Sequence, residues 1–109
     1  MKNITSAEFN SEVLTNKQPV LVDFYTDGCP PCRALAPVLQ DWEQESANSL
    51  KIVKVDAAAQ QDLAISYGVN VVPTLFLFSN GKVVAQTVGF KSKNALKQWA
   101  EEALRSVPA

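Results

Sequence analysis

The sequence has no histidine and only two cysteines among its 109 residues. Those absences remove much chemistry at once. Without imidazole there is no Ser-His-Asp or Cys-His catalysis, and no histidine-ligated metal. A tetrahedral structural zinc site wants four Cys or His ligands, and one copy of this chain offers two. An excess of either charge is also missing, because ten basic residues stand against eleven acidic ones, for a net charge of −1. That balance argues against nucleic acid or an anionic membrane surface as an electrostatic partner. Long hydrophobic runs are absent too, and the apolar stretches are strand-sized rather than membrane-sized. Met1 to Glu8 lack the apolar core and cleavage site of a secretion signal, so the expected location is the cytoplasm. There a disulfide is more often catalytic than structural.

What is present suits one globular unit. Hydrophobic residues make up 47% and charged residues 19% of the chain, enough for a single core in a single domain over residues 1–109. Thr5 to Glu8 have capping-box spacing and predict a first helix to about Leu14. Val20 to Tyr25 read as a central strand buried on both faces. Leu35, Val38, Leu39 and Trp42 keep helical spacing beyond Cys29-Pro30-Pro31-Cys32, and prolines suit the first turn of that helix. Pro37 should kink it, since it cannot bond the carbonyl of Arg33. Ile52 to Asp56 predict a second buried strand, and Ala57 to Tyr67 a helix stopped by Gly68. Thr74 to Phe78 and Lys82 to Val88 predict a hairpin turned at Ser79-Asn80-Gly81. A last helix, capped by Ser92, carries Leu96, Trp99, Ala100 and Ala103, with Pro108 beyond its end. The order predicts a three-layer α/β domain with parallel crossovers and one antiparallel edge.

The chemistry centres on Cys29 and Cys32. A C-x-x-C that closes a buried strand and opens a helix puts the first thiol where backbone N–H groups and the helix dipole favour an anion. The thiolate is the nucleophile of thiol–disulfide exchange, and Cys32, one turn on, is placed to resolve a mixed disulfide. The plainer readings are a structural disulfide, half a zinc site or two buried thiols. The strand–motif–helix context favours redox function. Asp23 is the one charged residue in its strand. It marks either a bulge or strand end, or a carboxylate whose burial raises its pKa into a useful range. Pro73, taken alone, is ordinary punctuation at a strand start.

With these residues in place, the chain resembles the thioredoxin family over essentially its whole length. The resemblance rests on Val20-Leu21-Val22-Asp23-Phe24 before the Cys pair, Arg33-Ala34-Leu35-Ala36-Pro37 after it, Val72-Pro73-Thr74, and Thr87-Val88-Gly89. It implies an α/β thioredoxin fold, a central mixed five-stranded sheet flanked by four helices, with a first strand near Asn3 and Ile4. It implies a protein-disulfide reductase with no bound cofactor, whose redox group is the Cys29–Cys32 disulfide. Its partners would be disulfide-containing proteins and a thioredoxin reductase, NADPH- or ferredoxin-linked; nothing demands more than a monomer. Asp23 would take the proton of Cys32 through water. Pro73 would follow a cis peptide bond and face the cysteines across a shallow groove. There Val72 would offer backbone hydrogen bonds to an extended substrate, with Pro30, Pro31, Gly89 and Phe90 completing an apolar contact surface.

Some positions depart from the family pattern. Gly28 and Pro30 stand where tryptophan and glycine are usual, while Tyr25 occupies the place of a second aromatic. Many members carry a buried lysine on the strand beside Asp23. Alignment on Asp56 puts Ile52 there, so the expectation is an Asp23 with no cation and a pKa raised further. Neither Pro30 nor Pro31 has an N–H, which leaves those of Cys32 and Arg33 for the Cys29 thiolate; the effect on redox potential is open in sign. A disulfide oxidant or isomerase, or a non-catalytic binding subunit of the same fold, are the alternatives.

Overall fold

A computed structural model describes residues 1–106; Pro108 lies outside the described residues. Strand β1 (Lys2–Asn3) is followed by a helical segment (Ser6–Leu14) and β2 (Val20–Tyr25). Then come α1 (Pro30–Ser46), β3 (Lys51–Asp56), α2 (Gln61–Ser66), β4 (Thr74–Ser79), β5 (Lys82–Val88) and α3 (Lys93–Arg105). The strands form one sheet in the order β1-β3-β2-β4-β5. With the Ser6–Leu14 segment and three α-helices around it, this is the mixed five-stranded α/β architecture that the resemblance implies.

Side chains alternate between the two faces of each strand, and that alternation sorts the core into two clusters. Val20, Val22, Phe24, Val53, Val55, Phe76 and Phe78 point to one face, where they meet Phe9 and Val13 of the first helical segment and Ala64 of α2. Leu21, Ile52, Leu75 and Leu77 point to the other and meet Leu35, Leu39 and Trp42 of α1 and Leu96 and Ala100 of α3. Each helix buries its apolar stripe on a sheet face, which makes the three layers.

Three expectations need correction. The first helical segment is not an α-helix: it opens as 3₁₀ at Ser6–Glu8 and continues as a wide π-turn at Asn10–Leu14. Its capping contact is present, the Thr5 N–H donating to Glu8 Oε1 at 3.0 Å. The wide turn then closes with the Thr15 N–H and hydroxyl both donating to the Asn10 carbonyl, while Phe9 and Val13 stay in the core. Second, α2 starts at Gln61 rather than Ala57. The Asp56 carboxylate accepts from the Ala58 and Ala59 N–H groups, a local side-chain bond that competes with helix. Third, β4 runs antiparallel to β2 as well as to β5. The six-residue α2 spans only about 9 Å and leaves the chain at the end of the sheet where β3 finished. Thr74 accordingly begins β4 opposite Phe24.

The hairpin turn uses Asn80 and Gly81, both with positive φ (53° and 79°), as a two-residue primed turn requires. Gly81 is constrained twice, because a Cβ there would sit 2.8 Å from the Leu14 carbonyl oxygen. A register shift between Leu77 and Phe78 adds a bulge to β4–β5 that no sequence signal marked.

Candidate active site

The site forms where β2 ends and α1 begins. Cys29 is the N-cap of α1, in extended conformation, and Pro30 and Pro31 fill the first helical turn. Cys29 and Cys32 are joined by a disulfide, their Cα atoms 5.2 Å apart. The Cys32 N–H donates to Cys29 Sγ at 3.2 Å. Arg33 does not add a second donor, since its N–H is taken by the Cys29 carbonyl oxygen at 3.1 Å. Of the two N–H groups expected at the sulfur, one is there. The helix start still favours negative charge on Cys29 through its dipole.

On the outer side, Cys29 Sγ lies 3.6 Å from the Val72 carbonyl oxygen. The Val72–Pro73 peptide bond is cis, Val72 is half-buried and Pro73 is buried. Gly89, with φ 87°, donates its N–H to the Pro73 carbonyl at 2.9 Å. The start of β4 and the end of β5 are thereby tied together beside the disulfide. Pro30, Pro31 and Phe90 are exposed, Phe90 to 49%. An open hollow of about 400 Å³ extends from Val72 past Val71, Thr26 and Ala58 to Ile65.

Beneath the disulfide, Asp23 is buried (3% exposed). Its Oδ1 has no hydrogen-bond partner, the only buried side-chain oxygen or nitrogen so placed among the described residues. Burial pushes its pKa up to about 7, against a smaller opposing pull from Lys54. Desolvation wins because the carboxylate loses water and gains no hydrogen bond. A cavity of about 330 Å³ is lined by Asp23, Tyr25, Asp27, Cys32, Arg33 and Lys54. That is room for several waters, with polar groups to hold them.

The lysine expected to be missing is present. In the parallel β2–β3 register Asp23 faces Lys54, whereas Ile52 faces Leu21. Ile52 is buried in the leucine-rich cluster. Ile52 and Lys54 are two residues apart, so an offset of two keeps the same face of the strand and changes the side chain. Lys54 was therefore missed as a site residue. The period-2 pattern puts Ile52 and Lys54 on one face of β3 but does not say which of them meets Asp23; only the register does. The Lys54 ammonium lies 5.0 Å from the centroid of the Tyr25 ring.

Trp42 and Trp99 pack in the cluster under α1 and α3. Ten residues along α1 separate Trp42 from Cys32, a rise of about 15 Å. No group of three or more His, Cys, Asp or Glu among the described residues is arranged to hold a metal. No helix among them is long and apolar enough to cross a membrane.

The thioredoxin family model matches residues 1–102. The chain is 41% identical to thioredoxin C-2 of Corynebacterium nephridii over 100 residues, covering 92% of this chain and 93% of the relative. It is 44% identical to the thioredoxin of Bacillus subtilis (strain 168) over 94 residues, 86% of this chain and 88% of that one. Against the thioredoxin of Pseudomonas aeruginosa it is 42% identical over 94 residues, covering 86% and 87%. With the Cys29–Cys32 disulfide as its redox group, the chain belongs to the thioredoxin family of thiol–disulfide oxidoreductases.

Proposed function

We propose that this protein is a general, cytoplasmic reductase of protein disulfides, acting as a monomer and re-reduced by a thioredoxin reductase. The observation that carries this reading is the position of the disulfide. Cys29 caps a helix and lies against the Val72 carbonyl, where a substrate strand can pair with backbone, while Cys32 faces inward to a cavity shared with Asp23.

In the reduced protein the Cys29 thiolate attacks one sulfur of a substrate disulfide. A Cys29–substrate bond forms, and the other substrate sulfur leaves as a thiolate and takes up a proton. Cys32 then loses its proton through water to the Asp23 carboxylate and attacks Cys29 Sγ. The Cys29–Cys32 bond forms, the Cys29–substrate bond breaks, and the second substrate sulfur departs with its electron pair. Two electrons have moved to the substrate, and the protein is left as the disulfide. A carboxylate with its pKa pushed up to about 7 suits this work, because it can accept and return a proton near neutral pH. Val72 supplies main-chain pairing, and Pro30, Pro31, Gly89 and Phe90 supply apolar contact. Recognition of this kind discriminates little between side chains, as a broad substrate range requires.

The decisive experiment is insulin reduction by dithiothreitol. The protein accelerates precipitation of the reduced chains. Cys32→Ser accumulates mixed disulfides that Cys29→Ser does not form. No acceleration by the parent would rule out turnover and leave a binding subunit. A potential close to that of protein-disulfide oxidants would turn the reading to oxidation.

A further inference from the structure

Tyr25 has no part in the reaction just described, yet it lines the cavity beneath the disulfide together with Asp23, Cys32 and Lys54. It ends β2 two residues after Asp23, so both side chains project from the same face. Lys54 comes from β3 and faces Asp23 in the register. A lysine so placed has three options: pair with the carboxylate, leave for water, or rest on an aromatic face. The ammonium takes the third, 5.0 Å from the centroid of the Tyr25 ring. Among the described residues it has no carboxylate within 4.0 Å, and Asp23 Oδ1 has no partner.

We propose that Tyr25 is a positioning residue whose ring face holds the Lys54 ammonium in the cavity, near enough to act on Asp23 and short of pairing with it. The attraction is electrostatic, between the cation and the negative face of the ring, and biases the lysine by roughly two- to fivefold in population. Its consequence follows from the two alternatives. A direct ion pair would hold Asp23 ionised through the working range, while a lysine lost to water would leave the carboxyl protonated to higher pH. The ring guards against the second: without it the ammonium leaves for water and the carboxyl keeps its proton to higher pH.

Other charged and polar groups line the same cavity or lie beside it. Cys32 and Arg33 come from α1, with the Arg33 Nε donating to the Asp27 carbonyl at 3.1 Å. Asp27 lines the cavity from the β2–α1 loop, and Asp56 lies opposite Tyr25 on β3. Met1 lines it from beside β1, its amine paired with Glu43, and β4 contributes the apolar Leu75. None of their carboxylates lies within 4.0 Å of the Lys54 ammonium.

The test is a carbon-13 NMR titration of the Asp23 carboxyl in the oxidised, full-length protein. Tyr25→Leu removes the ring face and moves the midpoint up by about half a pH unit, a roughly threefold change in proton affinity. Tyr25→Phe keeps the parent midpoint. Lys54→Met moves it up at least as far as Tyr25→Leu, and the double variant goes no further than Lys54→Met alone. An unchanged or lowered midpoint in Tyr25→Leu overturns the proposal, and so does an equal shift with Lys54 already removed. One reading needs no variant: with the Lys54 ammonium over the ring, the adjoining ε-methylene protons are expected upfield of those of other lysines. Their absence from that region overturns the ring contact even where Tyr25→Leu fails to fold. The link to turnover rests on the proton role proposed for Asp23 and is read separately, in the pH profile for resolution of a mixed disulfide. That profile follows the NMR midpoint. If it stays fixed while the midpoint moves, the proton role fails and the placement of Lys54 stands.

Discussion

On one face of the sheet Phe24, Phe76 and Phe78 pack with Phe9 and Tyr67, ring centroids 5.5–6.4 Å apart. On the other, Leu21, Ile52, Leu75 and Leu77 pack under α1 and α3, and the same face then runs on into Asp23, Tyr25 and Lys54. The aromatic face is apolar to the end of β2. The leucine face turns polar where the parallel strands finish and the helix carrying the cysteines begins. Ligand and catalytic sites in parallel α/β sheets favour that end of the strands. The contrast shows how one strand can do two things. Alternate residues of Val20–Tyr25 anchor the fold on one side, while Asp23 and Tyr25 line the cavity beneath the disulfide on the other.

The comparison can be broken on its structural side first. Phe78→Ala removes a 1% exposed ring from the aromatic cluster and should cost about 3–5 kcal/mol in chemical denaturation. The folded fraction should still reduce insulin. A loss below about 1 kcal/mol would mean that the aromatic face does not anchor the sheet.

The polar end of the leucine face should behave in the opposite sense. The folded state holds the Asp23 proton more tightly than the unfolded chain, with a pKa of about 7 against an ordinary 3.8. The stability tied to that proton is complete below the ordinary value and is lost as pH rises through about 7. Asp23→Asn removes this dependence, and at pH 8 should be more stable than the parent by on the order of 4 kcal/mol. It should also resolve mixed disulfides more slowly, by about a hundredfold. A parent whose stability is flat from pH 4 to 8 would contradict the unpaired burial of Asp23.

A smaller effect concerns the helix that covers the leucine cluster. The Ser92 hydroxyl accepts from the Ala95 N–H at 3.2 Å as the cap of α3. Ser92→Ala should lower stability by about 1 kcal/mol with insulin reduction unchanged. Smallest of all should be the optical response to reduction. Trp42 and Trp99 sit within the leucine cluster and not around the cavity, so reducing the disulfide should change tryptophan fluorescence only slightly. A several-fold change would place a tryptophan against the sulfurs.

Much of this was readable in advance for a physical reason. Val20–Tyr25, Lys82–Val88 and the Ser92 cap carry local signals: a short apolar run, a turn needing positive φ, a hydroxyl ahead of a helical stripe. The pair Cys29 and Cys32, with prolines in the first helical turn, likewise declares itself within a few residues. The first helical segment and the start of α2 misled because side chains rewrote the local geometry. Thr15 closed a wide turn, and Asp56 captured two amides that a helix would have used.

The sequence by itself determined most of the elements, the redox pair and the suspicion attached to Asp23. Each of these depends on neighbours along the chain. Tertiary structure alone decided that β4 runs antiparallel to β2, that Val72 stands beside Cys29, and that Lys54 rather than Ile52 faces Asp23. Register belongs to two strands at once, and no periodicity within one strand encodes it. The raised pKa of Asp23 has the same origin, because desolvation is imposed by the strands and the helix that close over the carboxylate.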